Sequence, residues 1–152
     1  MDYAQYLKIE FFNRIAHLQA DTTPAWGIMN AQEMTEHLSL IFKVSSADVV
    51  FPIITKEEDL PKYMAFLKSD KLFRENTKAP VEIIGETPLP LHCDNLSDAM
   101  TKLKESVENF FTYFENNPLE RTAHPVFGLL TYEDWLILHY KHTTHHLSQF
   151  RL

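Results

Sequence analysis

Apolar residues recur at helical spacing along much of the chain and predict its first two long elements. A first helix is predicted from Asp2 to about Ala20, and Pro24 ends any continuation of it. A second is predicted from Asn30 to about Ser46, because Asn30 and Glu33 have the spacing of a capping box. The predicted inward faces comprise Tyr6, Ile9, Phe12 and Ile15 in the first helix, and Met34, His37, Leu40, Ile41 and Val44 in the second.

Two further long helices are predicted in the second half of the chain. Ser97 is the predicted N-cap of the third, which runs to about Asn117 before Pro118. Thr131 begins the fourth, which reaches about Gln149. The stripe of the third helix comprises Met100, Leu103, Val107, Phe110, Phe111 and Phe114, and the connecting segments comprise a short helix at Pro61–Ser69, an extended stretch at Val81–Gly85 and a loop at Arg121–Leu130.

Four long amphipathic segments are what an antiparallel four-helix bundle requires. A βαβ fold would need several buried Val/Ile runs of strand length, and the chain offers barely one. The sequence therefore predicts an all-α, antiparallel four-helix bundle. It forms a single domain over residues 1–152, with a long connection between the second and third helices.

Composition removes several function classes. The 14 Lys and Arg against 21 Asp and Glu give a net charge of −7, which argues against nucleic acid as a partner. Three glycines leave no room for a glycine-rich phosphate loop, and one cysteine excludes a multi-cysteine zinc site. No apolar run has the length of a membrane span, and the N-terminus lacks a signal-peptide core, so a cytoplasmic protein without membrane attachment is expected.

Histidines are concentrated near the C-terminus, where five of the eight lie in the last 29 residues. In the fourth helix, Trp135, His139, His142, His146 and Gln149 share a stripe about 80° wide. His142 and His146 are four residues apart, so their rings can converge on one metal ion. Hydrogen-bonded buried histidines are the alternative, and pairs three residues apart, such as His139 with His142, would be weaker sites.

A third ligand is expected from another helix. His37 is a lone imidazole in the apolar stripe of the second helix, so it would complete a three-histidine site with His142 and His146. Such a site keeps an open coordination position, which is typical of catalytic rather than structural metal centres. A divalent ion is therefore the predicted cofactor, with zinc or nickel preferred, although ligand type alone does not select the metal.

Three motifs resemble those of the DinB superfamily, including its YfiT-type metalloenzymes. They are Trp26-Gly27-x-Met29 followed by His37, then His124-Pro125-Val126-Phe127-Gly128, and finally His142-x-x-His145-His146-x-x-Gln149-Phe150. The resemblance implies a four-helix bundle that holds a divalent ion through His37, His142 and His146. Relatives in that superfamily include thiol-dependent transferases and a maleylpyruvate isomerase, which use bacillithiol, mycothiol or glutathione.

Other residues are candidates for the surroundings of the ion. Gln149 is expected to orient a ligand ring or to end the helix, and His139 to support the site or line a pocket. His124 is a candidate for the pocket rim or a loop cap, Glu33 for a base, fourth ligand or helix cap, and Trp26 for the pocket or the core.

Two functions remain open at this level. The first is a metal-dependent enzyme. Transfer of a low-molecular-weight thiol onto an electrophilic small molecule fits the residues better than hydrolysis does. The second is a non-catalytic, metal-stabilised bundle or small-ligand binding protein. A homodimer through a helix face is compatible with both functions.

Overall fold

The computed structural model describes residues 1–78 and 87–152, and within them the chain is mostly helical with one small sheet. Helix α1 has three consecutive parts, which are α-helical at Tyr3–Gln5, π-helical at Tyr6–Glu10 and α-helical at Phe11–Ile15. The later elements are α2 (Ala31–Ser45), a 3-10 turn (Glu57–Asp59) followed by α3 (Leu60–Leu67), α4 (Leu96–Asn116), β1 (Thr122–His124), β2 (Gly128–Leu130) and α5 (Tyr132–Gln149). The predicted extended stretch Val81–Gly85 lies outside the described residues.

Helix α1 differs from its prediction in length and in its buried face. It ends at Ile15 instead of about Ala20, because the amides of His17 and Leu18 bond to carbonyls only three residues back. Ile9 was predicted to face inward but is 54% exposed, whereas Leu7, Phe11 and Ile15 are fully buried. Their spacing of four matches a row on the helix surface. Tyr6 and Ile15 of the predicted row are buried as well, so the prediction was wrong at Ile9 and not for the whole row.

Helices α2, α4 and α5 begin at side-chain caps. The predicted capping box of α2 is present, since the Asn30 side chain accepts from the Glu33 amide at 2.8 Å and Glu33 accepts from the Asn30 amide. Thr131 and Asp134 form the same arrangement at the start of α5. The N-cap of α4 is Asn95, so the prediction of Ser97 was wrong. Asn95 has the extended backbone of a cap and accepts from the Asp98 amide.

A two-stranded antiparallel sheet replaces the loop predicted for residues 121–130, so the chain is not purely α-helical. Thr122 pairs with Leu130, and His124 pairs with Gly128. These strands are too short to show an alternating pattern in the sequence, which is why the prediction missed them. Thr122 connects the sheet to the helices, because its hydroxyl donates to the Ser45 carbonyl and accepts from the Trp135 indole.

The core is formed mainly where α2 packs against α4, with α1 and α5 completing it. The predicted stripe of α4 is buried at Leu103, Val107, Phe110, Phe111 and Phe114. In residues 1–78 and 87–152, none of the helices combines the length and hydropathy of a membrane span. This packing places the polar face of α5 opposite the middle of α2.

Candidate metal centre

Three imidazoles from two helices meet at one point. His142 and His146 lie one turn apart on α5, and His37 reaches them from α2. The Nε2 atom of His142 lies 2.9 Å from Nε2 of His37 and 3.1 Å from Nε2 of His146. One ligand nitrogen from each residue lies within 4.8 Å of the others, so the three histidines could hold a metal ion.

These separations are close to what a tetrahedral ion requires. Metal–nitrogen bonds of about 2.0–2.1 Å at a tetrahedral angle place two ligand nitrogens about 3.3 Å apart. The measured 2.9 and 3.1 Å are a few tenths of an ångström shorter. Small side-chain rotations, without movement of the helices, would therefore open the cluster to the size of an ion.

Hydrogen bonding alone does not satisfy the cluster. A neutral imidazole has one N–H and one lone pair, and Nε2 carries only one of them. Nε2 of His142 faces two other Nε2 atoms. If it carries a hydrogen, His37 and His146 compete for it; if it carries the lone pair, it can accept fully from only one of them. A cation shared by three lone pairs removes this conflict.

The orientation of the His146 ring is fixed by Gln149. The Gln149 amide nitrogen donates to the Trp26 carbonyl at 2.9 Å, so its oxygen points to Nδ1 of His146 at 2.8 Å. Because that oxygen only accepts, Nδ1 carries the hydrogen and Nε2 presents a lone pair to the cluster. Gly27 makes room for this contact, since a Cβ there would lie 2.7 Å from the Gln149 amide nitrogen, and its φ of +78° suits glycine.

Burial keeps the three rings neutral. Desolvation, followed by repulsion from His145, lowers the pKa of His37 to about 4. Desolvation also holds the pKa of His142 and of His146 well below the usual value, with the other histidines of the cluster adding to it. Neutral imidazoles are the form that binds metal, so the site is in its binding state at neutral pH.

The remaining candidates have other contacts. Glu33 forms the capping box with Asn30, which is one of its predicted roles, and among the described residues it is not one of the three that cluster. Nδ1 of His124 accepts from the amides of Val126 and Phe127, which is the loop-cap role. Burial lowers the pKa of His124 to about 4.

His139 is buried beside the cluster but is not one of its members. Its ring stacks on Phe42 at 3.7 Å between centroids, and its Nε2 is 3.0 Å from the Ser45 hydroxyl. That hydroxyl donates to the Phe42 carbonyl, so Nε2 of His139 donates, and Nδ1 keeps a lone pair that has no partner among the described residues. His139 therefore supports the packing of α2 against α5.

Sequence reasoning missed the surroundings of His145. Its ring is buried against His146, Trp26 and Phe73, with centroids 5.0, 5.7 and 5.9 Å away. Trp26 therefore lies beside the candidate metal centre. The two roles predicted for it were the pocket and the core, and this position fits the pocket. Phe73 is in an irregular segment after α3, where no periodic pattern could indicate a contact with α5.

The fold and the site define a mainly helical protein with a candidate three-histidine metal centre. A family model described as a protein of unknown function (DUF1569) matches residues 5–152, and the chain belongs to this family. The match includes every residue of the candidate centre. No curated protein and no solved structure matches the chain.

Proposed function

We propose that the protein is a divalent-metal-dependent enzyme whose ion, zinc or nickel, is bound by His37, His142 and His146. The convergence of three Nε2 atoms carries this proposal, because as neutral rings they cannot all be hydrogen-bonded to one another. Gln149 supports it by fixing the protonation of His146, as partners of ligating histidines generally do.

The proposed reaction is transfer of a low-molecular-weight thiol onto an electrophilic small molecule. Three protein ligands leave a coordination position open, and an ion there lowers the pKa of a bound thiol or water. The thiol passes its proton to water, and its sulfur forms a bond to an electrophilic carbon. The bond from that carbon to the leaving atom breaks, and the leaving atom keeps the electron pair: chloride departs from a chlorinated aromatic, whereas the epoxide oxygen stays on the neighbouring carbon and takes up a proton from water. In the described residues no carboxylate joins the cluster, which favours thiol transfer over a hydrolysis that needs a separate base.

The proposed relationship is to the DinB superfamily. It is supported by the order of the Trp26-Gly27, His124-Pro125 and His142-to-Gln149 motifs, and by the contacts among Trp26, Gln149 and His146. Under this proposal α1, α2, α4 and α5 are the helices of an antiparallel four-helix bundle. A cytoplasmic location would keep the thiol substrate reduced.

The first test is metal content. Protein purified without a polyhistidine tag should contain about one divalent ion per chain, and His142→Ala should contain almost none. Ser148→Ala is the matched control, because Ser148 is exposed on the same helix. Absence of tightly bound zinc, nickel, copper or iron after reconstitution would overturn the metal site.

The second test is the reaction. Bacillithiol, glutathione, mycothiol, cysteine and coenzyme A are each offered with a chlorinated aromatic or an epoxide, and the loss of free thiol is measured. Metal-loaded native protein should consume one of these thiols, and His142→Ala should not. If metal occupancy is complete and no thiol is consumed, the transferase is wrong and the non-catalytic metal-binding protein takes its place.

A further inference from the structure

A cavity of about 170 Å³ lies beside the candidate metal centre, on the far side of His145. A cavity of about 150 Å³ can hold a benzene molecule, so this one is large enough for a small organic group. It lies between α5, the segment that follows α3 and the turn before α2. Its lining includes Trp26, Phe73, Glu75, Thr144, His145 and Ser148.

A buried lysine holds one wall of this cavity in place. Lys141 is 3% exposed, and its ammonium group donates to the carbonyls of Phe66, Ser69 and Lys71 at 3.1, 2.6 and 2.5 Å. These carbonyls lie at the end of α3 and just beyond it, where a helix presents unpaired acceptors and partial negative charge. Lys141 therefore fixes the segment that brings Phe73 against His145.

The described part of the lining has two aromatic side chains and one charged carboxylate. Trp26 and Phe73 flank the His145 ring, and the carboxylate of Glu75 contributes the charge. Within residues 1–78 and 87–152, Glu75 has no ion-pair partner, and neither lysine nor arginine lines the cavity.

We propose that this cavity binds the ammonium group of a small organic cation against Trp26, Phe73 and Glu75. A cation over an aromatic face is attracted by the ring quadrupole, most strongly by tryptophan. The carboxylate of Glu75 adds Coulomb attraction, and the small volume selects a compact group such as a primary or quaternary ammonium. The hydroxyls of Thr144 and Ser148 can accept hydrogen bonds from the ligand.

The cavity is connected to the metal centre by two contacts. The carbonyl of Trp26 accepts from Gln149, which holds His146, and the ring of His145 packs on His146. Binding of the cation does not require the ion. Only the assignment of this cavity as part of a substrate site rests on the proposed function.

The test uses the full chain without metal, so its result does not depend on the histidine cluster. Choline is titrated while the indole N–H signals of Trp26 and Trp135 are followed by nuclear magnetic resonance. The buried Trp135 donates to Thr122 and is the internal reference. Choline should shift the Trp26 signal saturably, and its uncharged carbon analogue dimethylbutanol should bind about tenfold more weakly.

The variant Glu75→Gln should weaken choline binding about two- to fivefold and leave dimethylbutanol binding unchanged. Glu108→Gln is the matched control, because Glu108 is an exposed carboxylate on α4 that does not line the cavity. Trp26→Leu lacks the reporter signal, so its binding is followed through the ligand methyl signals, and it should reduce the preference for choline. The proposal is overturned if choline leaves the Trp26 signal unchanged, if choline and dimethylbutanol bind equally, or if Glu75→Gln has no selective effect.

Discussion

Nδ1 of His146 lies 2.8 Å from the side-chain oxygen of Gln149, one turn further along the same helix. The other end of that amide donates to the Trp26 carbonyl, so the amide cannot turn round without losing both hydrogen bonds. This relationship fixes which nitrogen of His146 keeps a lone pair for a metal ion. It links the turn before α2 to the ligand cluster on α5.

Replacing Gln149 by Leu should therefore weaken metal binding without removing a ligand. Loss of the Nδ1 acceptor frees the ring to rotate and to change tautomer, and loss of such partners typically costs about 10–100-fold in metal affinity. Competition with a chromogenic chelator measures the effect. Ser148→Ala is the control on the same turn, and equal affinities in Gln149→Leu and Ser148→Ala would contradict the role given to Gln149.

His146→Ala and His145→Ala should differ sharply in metal content. His146 is a member of the cluster, whereas the neighbouring His145 packs against Trp26 and Phe73 outside it. Metal analysis after dialysis should show that His146→Ala loses most of its ion and that His145→Ala keeps most of it. Similar losses in the two variants would mean that the assignment of helix faces is wrong.

The bound ion should leave as the solution is acidified, because protons compete for the same lone pairs. The usual pKa of histidine is about 6.5, but burial lowers that of His37 to about 4. Competition is therefore delayed, so occupancy should stay high down to about pH 5 and fall as the pH approaches and passes about 4, with protons taken up. Metal content measured along this titration checks the prediction, and loss of most of the ion already near pH 6.5 would contradict it.

His124 should make the fold sensitive to acid for another reason. Its pKa is lowered to about 4 in the folded protein, so the unfolded chain binds more protons between that value and about 6.5. The free energy of unfolding therefore contains a contribution that is present above about pH 6.5 and is lost as the pH falls towards 4.

Urea unfolding of metal-free protein at several pH values measures this contribution. The variant His124→Asn keeps an acceptor for the amides of Val126 and Phe127 but cannot titrate. Its stability should depend less on pH in this range than that of the native chain. The exposed His17, replaced by Asn, provides the control; identical pH dependence in His124→Asn and His17→Asn would contradict the assignment.

Much of the local structure could be predicted from sequence, because it depends on residues a few positions apart. The caps at Asn30 and Thr131 are bonds across three residues, and a helical period alone places His142 and His146 on one face. The same logic predicted the buried stripe of α4. It also predicted that a third histidine ligand would come from a second helix, and His37 does lie against these two rings.

Tertiary packing decided the other features, because they depend on contacts between parts of the chain that are far apart in the sequence. The spacing of apolar residues in α1 did not show that Ile9 is exposed. The strands at Thr122–His124 and Gly128–Leu130 form by pairing with each other across a turn. Lys141 departs from the general rule that lysine side chains are mostly exposed. It is buried because three carbonyls at the end of α3 replace water around its ammonium group, and only the folded chain brings those carbonyls to it.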